Sequence, residues 1–256
     1  RAGDRPLEVI ECFYNAGLRG ARIERLDLKQ GRIGIAPLGS RYFVSLNTTR
    51  AMVLLDPTGR SDHFPRSPFG IGSARRLRQR FSAHMVEHGS DAEAVDHVRL
   101  EPRDGPHGFT ADLWLSPADD RVLALELACT HCDPHPLIPF GHMRSIDSVD
   151  MRFRMTWDRA RADAMPDHIE LAYDLAYTND SGGTGAVSTT ALLHLFDPGG
   201  AFILPLFEHD DDQGDYRKIT FQPYDPAFWA RAPSILRTGQ QERDRAFFLQ
   251  YGFLTG

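Results

Sequence analysis

The densest run of side chains able to do metal or redox chemistry is Cys129-Thr130-His131-Cys132-Asp133-Pro134-His135, with His142 a few residues on. Thiolate and imidazole are the usual zinc ligands, and a Cys-x-x-Cys pair can turn two sulfurs toward one ion. A closed structural site takes four ligands, so Cys129, His131, Cys132, His135 and His142 form the candidate zinc set. Their spacing is that of no finger or ribbon. Asp133 follows the second cysteine where a c-type haem attachment has histidine. Three states stay open for the cysteine pair: zinc ligands, a local disulfide, or inert thiols. Thioredoxin-like exchange is not expected, because it places the first cysteine at a helix N-terminus. Here the pair follows a predicted strand and precedes prolines.

Two other runs invite a chemical reading and fit it poorly. Asp210-Asp211-Asp212-Gln213-Gly214-Asp215 gathers carboxylates suited to calcium, but it has no closing glutamate and reads as a solvated turn. Gly182-Gly183-Thr184-Gly185 could cradle an anion through its amides. It lacks the lysine and following helix of a P-loop, so hairpin flexibility accounts for it. There is no Gly-x-Ser-x-Gly elbow for a nucleophilic serine. Asn47-Thr48-Thr49 and Asn179-Asp180-Ser181 fit the glycosylation pattern, which matters only in a eukaryotic secretory setting. The expectation is a protein that binds and does not catalyse.

The elements that would position these residues are mostly strands. Residues 7–14 alternate apolar and polar, and 22–29 with 32–35 read as a hairpin about a Gln30-Gly31 turn. Strands are expected at 42–46, 51–55, 95–102, 109–115, 121–128, 148–157, 168–177, 186–196, 201–207 and 216–221. Ser73 can cap a helix, and Leu77, Phe81 and Met85 recur at four-residue spacing, which predicts a helix over 73–87. A second helix is expected over 240–251. The fold class is mainly β: a large antiparallel curved sheet or half-barrel with two or so helices, continuous from residue 7 to 221 and read as one domain over 1–256.

Composition bounds the partners. A net charge of −6 argues against nucleic acid, since the basic cluster Arg75-Arg76-Leu77-Arg78-Gln79-Arg80 is local. No segment approaches the roughly 20 apolar residues of a membrane helix. Three cysteines do not make a disulfide framework. The chain opens on Arg1 in place of methionine, which leads us to expect a processed or trimmed product.

Two sets of segments carry a family resemblance. Gly108-Phe109-Thr110-Ala111-Asp112-Leu113-Trp114-Leu115 with Val122-Leu123-Ala124-Leu125-Glu126-Leu127 resembles a hairpin of bacterial envelope proteins with a LolA/LolB-like half-barrel. The segments 135–139, 167–173, 204–207, 215–219 and 223–229, together with 47–49 and 64–69, are similar to the C-terminal β region of secreted envelope proteins. Those proteins usually carry a carboxypeptidase-regulatory-like sandwich in front. The resemblance implies a periplasmic or outer-membrane-associated protein with a LolA-like sheet and no catalytic residues to carry over. It also implies a lipid, lipoprotein or protein partner held by the curved sheet. The Cys/His loop is not part of that pattern, and it supplies the alternative: a metal-binding protein or metal-dependent hydrolase. A structural subunit of an envelope assembly, paired through its edge strands, is the third reading.

Overall fold

The computed structural model describes residues 1, 5–19, 22–36, 52, 74–89, 95–103, 109–131, 143–159, 165–196, 215–231, 235–250 and 254–255. Alternation builds most of it. Seven strands follow one another antiparallel in chain order: β3 (Phe81–Glu87), β4 (Asp96–Pro102), β5 (Thr110–Leu115), β6 (Val122–Cys129), β7 (Met143–Thr156), β8 (His168–Asn179) and β9 (Thr184–His194). The meander is an open sheet with β3 and β9 at its edges. On β7, Val149, Met151, Phe153 and Met155 turn to one face, and Asp150, Arg152 and Arg154 turn to the other. Register carries this pattern across the sheet, since Phe153 faces Leu127 on β6 and Leu171 on β8.

The apolar face is a closed core. Val149 and Phe153 are 0% exposed, and Met52, Met165 and the β2 residue Leu26 pack with the strands over it. Each such side chain contributes about 1.5–3 kcal/mol by leaving water.

A second sheet has its own hydrogen-bonded ladder, separate from that of the meander. β1 (Glu8–Arg19) and β2 (Arg22–Ile35) pair antiparallel, and β10 (Leu254–Thr255) adds to the far side of β2. Helices cover both of its faces. On one lies α2 (Asp215–Phe221), whose buried Asp215, Lys218 and Ile219 sit at helical spacing. On the other lie α3 (Pro226–Arg231) and α4 (Gly239–Gln250). Phe228 and Trp229 of α3 meet the Phe13 ring edge-on at 5.1 and 5.5 Å, and Phe248 of α4 lies over Gly34. Arg1 links the two sheets: its backbone exchanges hydrogen bonds with Ser188 on β9, and its guanidinium reaches Asp244 on α4 at 3.3 Å.

Several expectations are corrected. The continuous strand order from 7 to 221 divides between two sheets, because β2 pairs back on β1 and not on the meander. Gln30-Gly31 is not a turn. β2 runs straight through it, and a bulge at Lys29 shifts the register. The bulge leaves carbonyls without ladder partners, and Gln222 Nε2 donates to those of Lys29 and Leu28 at 2.5 and 3.4 Å. The 73–87 helix is only α1 (Ala74–Arg80), and from Phe81 the chain is strand. The segment from Phe81 satisfies both periods, and pairing from Phe81–Pro102 to Met85–Val98 decides for the strand. Residues 216–221 are helix α2, not a strand, and Asp215, Lys218 and Ile219 bury together at the i, i+3, i+4 spacing of one helix face. The strands expected at 42–46 and 201–207 lie outside the described residues, as does all of that expected at 51–55 except Met52.

Candidate functional site

The structure separates the candidate metal ligands. Cys129 ends β6 on the core side, 5% exposed, and is disulfide-bonded. In that state its sulfur is no thiolate for an ion. His131 is exposed, in the left-handed backbone region with φ 53°, and its N–H donates to Asp150 Oδ1 at 2.8 Å. Cys132, His135 and His142 lie outside the described residues.

The polar face of the seven-stranded sheet is ordered in rows that the register defines. One row runs Arg99, Asp112, Glu126, Arg154, Glu170 across β4 to β8. The next runs His97, Trp114, Ala124, Thr156, His168, His194 across β4 to β9. Asp112 joins the two rows. Its Oδ1 accepts from Arg99 Nε at 2.9 Å and lies 2.7 Å from His97 Nε2. Partial burial opposes ionisation there, but Arg99 and His97 outweigh it and hold the carboxyl below its ordinary value. The His97 ring stacks on Trp114 at 4.8 Å, with Arg154 on the same indole at 5.9 Å.

At β3 the burial pattern changes. Phe81 packs against the core, yet residues 83–87 are all exposed, with Met85 at 59% and Val86 at 53%. Met85 pairs with Val98, whose side chain packs on the core, so Met85 sits at the open margin of the apolar face. A bulge at Val86 and the neighbouring His84 and Glu87 interrupt the edge as a pairing template. Beyond β3 no further strand pairs among the described residues.

Sequence reasoning missed the charges buried in the small sheet. Glu11, 7% exposed, accepts from Arg32 Nε at 2.6 Å and Arg237 Nε at 2.5 Å, with Arg245 at 3.8 Å. The Arg32 guanidinium also lies 4.2 Å over the Trp229 ring. On the opposite face Tyr14 donates to Asp215 Oδ1 at 2.5 Å. Loss of water raises the Cys12 thiol and the Tyr14 phenol well above their ordinary values. It also raises the Glu8 carboxyl to about 8. The available signal was Glu8 and Glu11 within a strand otherwise rich in apolar residues.

No protein-family model matches the chain, and neither does any curated protein or solved structure. Among the described residues no helix is long and apolar enough to cross a membrane.

Proposed function

We propose that the chain is a non-enzymatic, extracytoplasmic envelope protein that engages a protein partner along the β3 margin of its large sheet. The observation that carries this reading is the break in burial between the sealed centre of the apolar face and the exposed Met85 and Val86 at its rim. A lipid carrier needs an apolar concavity left for its cargo. Under β7 and β8 that space is filled by the chain's own side chains, with Val149 and Phe153 at 0% exposure and Leu175 at 1%. A partner that buries Met85, which shares the face of Val98, extends the same core outward. The disulfide at Cys129 favours an oxidising compartment. The resemblance to LolA/LolB-like envelope proteins supports the same address, and a half-barrel of that kind is part of the proposal.

Photo-crosslinking in an envelope-forming host tests it, with the probe amino acid placed at Met85 in one variant and at Arg152 on the polar face in another. A discrete protein adduct from position 85 alone is expected. Adducts of equal yield at both positions, or none at either, overturn the reading. A lipid adduct at position 85 returns the lipid-carrier alternative.

A further inference from the structure

We propose that Asp167, His168 and His194 form a binding site for one divalent transition-metal cation of the zinc class, at the end of β8 and β9. The site is separate from the 129–142 loop and does not depend on the partner reading above.

Strand register brings the two histidines together. His168 and His194 are equally far from the pair Thr178–Thr184 that closes the hairpin, so they face each other across the strands. The Leu195 N–H donates to the Asp167 carbonyl at 2.9 Å. With Asn179 donating to Gly183 in the same register, this places the odd β8 residues at the hydrogen-bonded positions, and therefore 168/194 at a non-hydrogen-bonded one. In such pairs the Cα atoms come within about 4.5 Å and the side chains sit closest. The imidazoles accordingly stack, with centroids 4.6 Å apart and planes within 10° of parallel.

Asp167 supplies the charge. Its Oδ2 is 2.5 Å from His168 Nδ1, and its Oδ1 is 3.7 Å from His194 Nε2. One ligand atom from each residue falls within 4.8 Å of the others. The aspartate is fixed on both sides, because its own N–H donates to the Thr156 carbonyl at 2.7 Å while its carbonyl receives Leu195. The donors are therefore anchored by three adjacent strands, which lowers the ordering cost of gathering them around an ion. The side chains are 27–32% exposed, so a hydrated cation can reach them.

Two imidazoles and one carboxylate suit zinc, copper, nickel or iron(II) better than calcium or magnesium. Bonds of about 2.0–2.2 Å would hold the three donor atoms roughly 3.3 Å apart. Reaching that geometry draws together donor atoms that lie within 4.8 Å of one another and tilts one imidazole out of the stack, so that both ring lone pairs meet at the ion. It also requires the short Asp167–His168 contact to open as the cation replaces the proton between them. Three protein ligands leave at least one coordination position for water or an external donor.

The test is a titration of the full, untagged chain with Co(II), read by visible d–d absorption, and with Zn(II), read by calorimetry and by the shift in melting temperature. One equivalent is expected. His194→Gln and His168→Gln should each weaken binding about tenfold or more and abolish the zinc-induced rise in melting temperature. His88→Gln, at a histidine outside the cluster, should bind as the parent does. Two substitutions at separate strand positions keep the test valid if one of them fails to fold. The proposal is overturned if the parent binds no equivalent, or if either folded variant retains full binding. It is also overturned if affinity follows Cys132→Ala in place of the His168 and His194 variants, which would assign the metal to the loop.

Discussion

The two sheets bury themselves in opposite ways. The seven-stranded sheet puts its apolar residues on one face and its charges on the other, where Arg152 is 70% exposed beside Glu126. The three-stranded sheet is covered by helices on both faces, so a carboxylate on an inward-facing position must find its partners inside the protein. Glu11 lies 7% exposed among arginines, and Asp215 and Lys218 are buried across from it. The lesson is that the same residue type has different consequences in the two places. A carboxylate such as Glu126 on the polar face of the meander, paired only with the exposed Arg152, is replaceable. One inside the small sheet is tolerated only while its partners are in place.

The largest effect should come from breaking that asymmetry directly. Glu11→Ala leaves Arg32 and Arg237 without their shared acceptor in a buried setting, which should cost about 3–5 kcal/mol. Glu126→Ala, which removes a pair at 3.3 Å to the exposed Arg152, should cost no more than about 1 kcal/mol. Urea denaturation of both variants, followed by far-UV circular dichroism, measures the difference. Equal losses would mean that the small sheet is not held by its ion network.

A smaller effect should follow from overfilling the small sheet. Gly31 pairs with Cys12, and a Cβ there would overlap the Ile219 Cγ1 position and lie 2.9 Å from its Cδ1. Gly31→Ala should therefore cost roughly 1–3 kcal/mol. Paired with Ile219→Ala, which removes both Cγ1 and Cδ1, it should cost less than it does alone, because the two sites touch and their effects do not add. The urea midpoints of the two single variants and the double variant complete the cycle. Strict additivity would separate α2 from the sheet energetically.

The same contrast decides what could be read from sequence. In the meander one face is wet, so alternation is visible in the residues, and β4, β5, β6 and β8 appear at almost their expected bounds. In the small sheet both faces are covered, and alternation locates β1 without showing where β2 continues or where α2 begins. There Gln30-Gly31 mimicked a turn, although Gly31 serves to let Ile219 approach. The helix α2 mimicked a strand because Tyr216, Ile219 and Phe221 suit either structure. The site residues divide in the same way. The Cys/His loop stands out because its residues are adjacent in sequence. His168 and His194 meet only through the hairpin register, which needs the tip at 179–185 to be placed first. The Glu11 cluster joins β1, β2 and the approach to α4, and no local pattern announces it.

A further prediction separates the sheets by the sign of their response to pH. Burial, with the nearby Asp215 charge adding to it, moves the Glu8 carboxyl from 4.5 to about 8. The fold thus prefers its protonated form, and the unfolded chain releases that proton near 4.5. Between those values the native state holds a proton that the unfolded state lacks, so stability falls as pH rises through the window and levels off above it. Asp112 on the large sheet behaves in the opposite sense. Its partners Arg99 and His97 hold it below 3.8, so its contribution is present above that value and is lost as pH falls through the folded-state value. Melting temperatures of Glu8→Gln, Asp112→Asn and the parent across pH 3–9 resolve the two contributions, at roughly 2–4 °C for each kcal/mol. Glu8→Gln should flatten the decline between pH 5 and 8, whereas Asp112→Asn should flatten only the acid limb. If Glu8→Gln leaves the neutral-range slope unchanged, the small sheet admits enough water to solvate its charges. The contrast between the sheets would then rest on the Glu11 network alone.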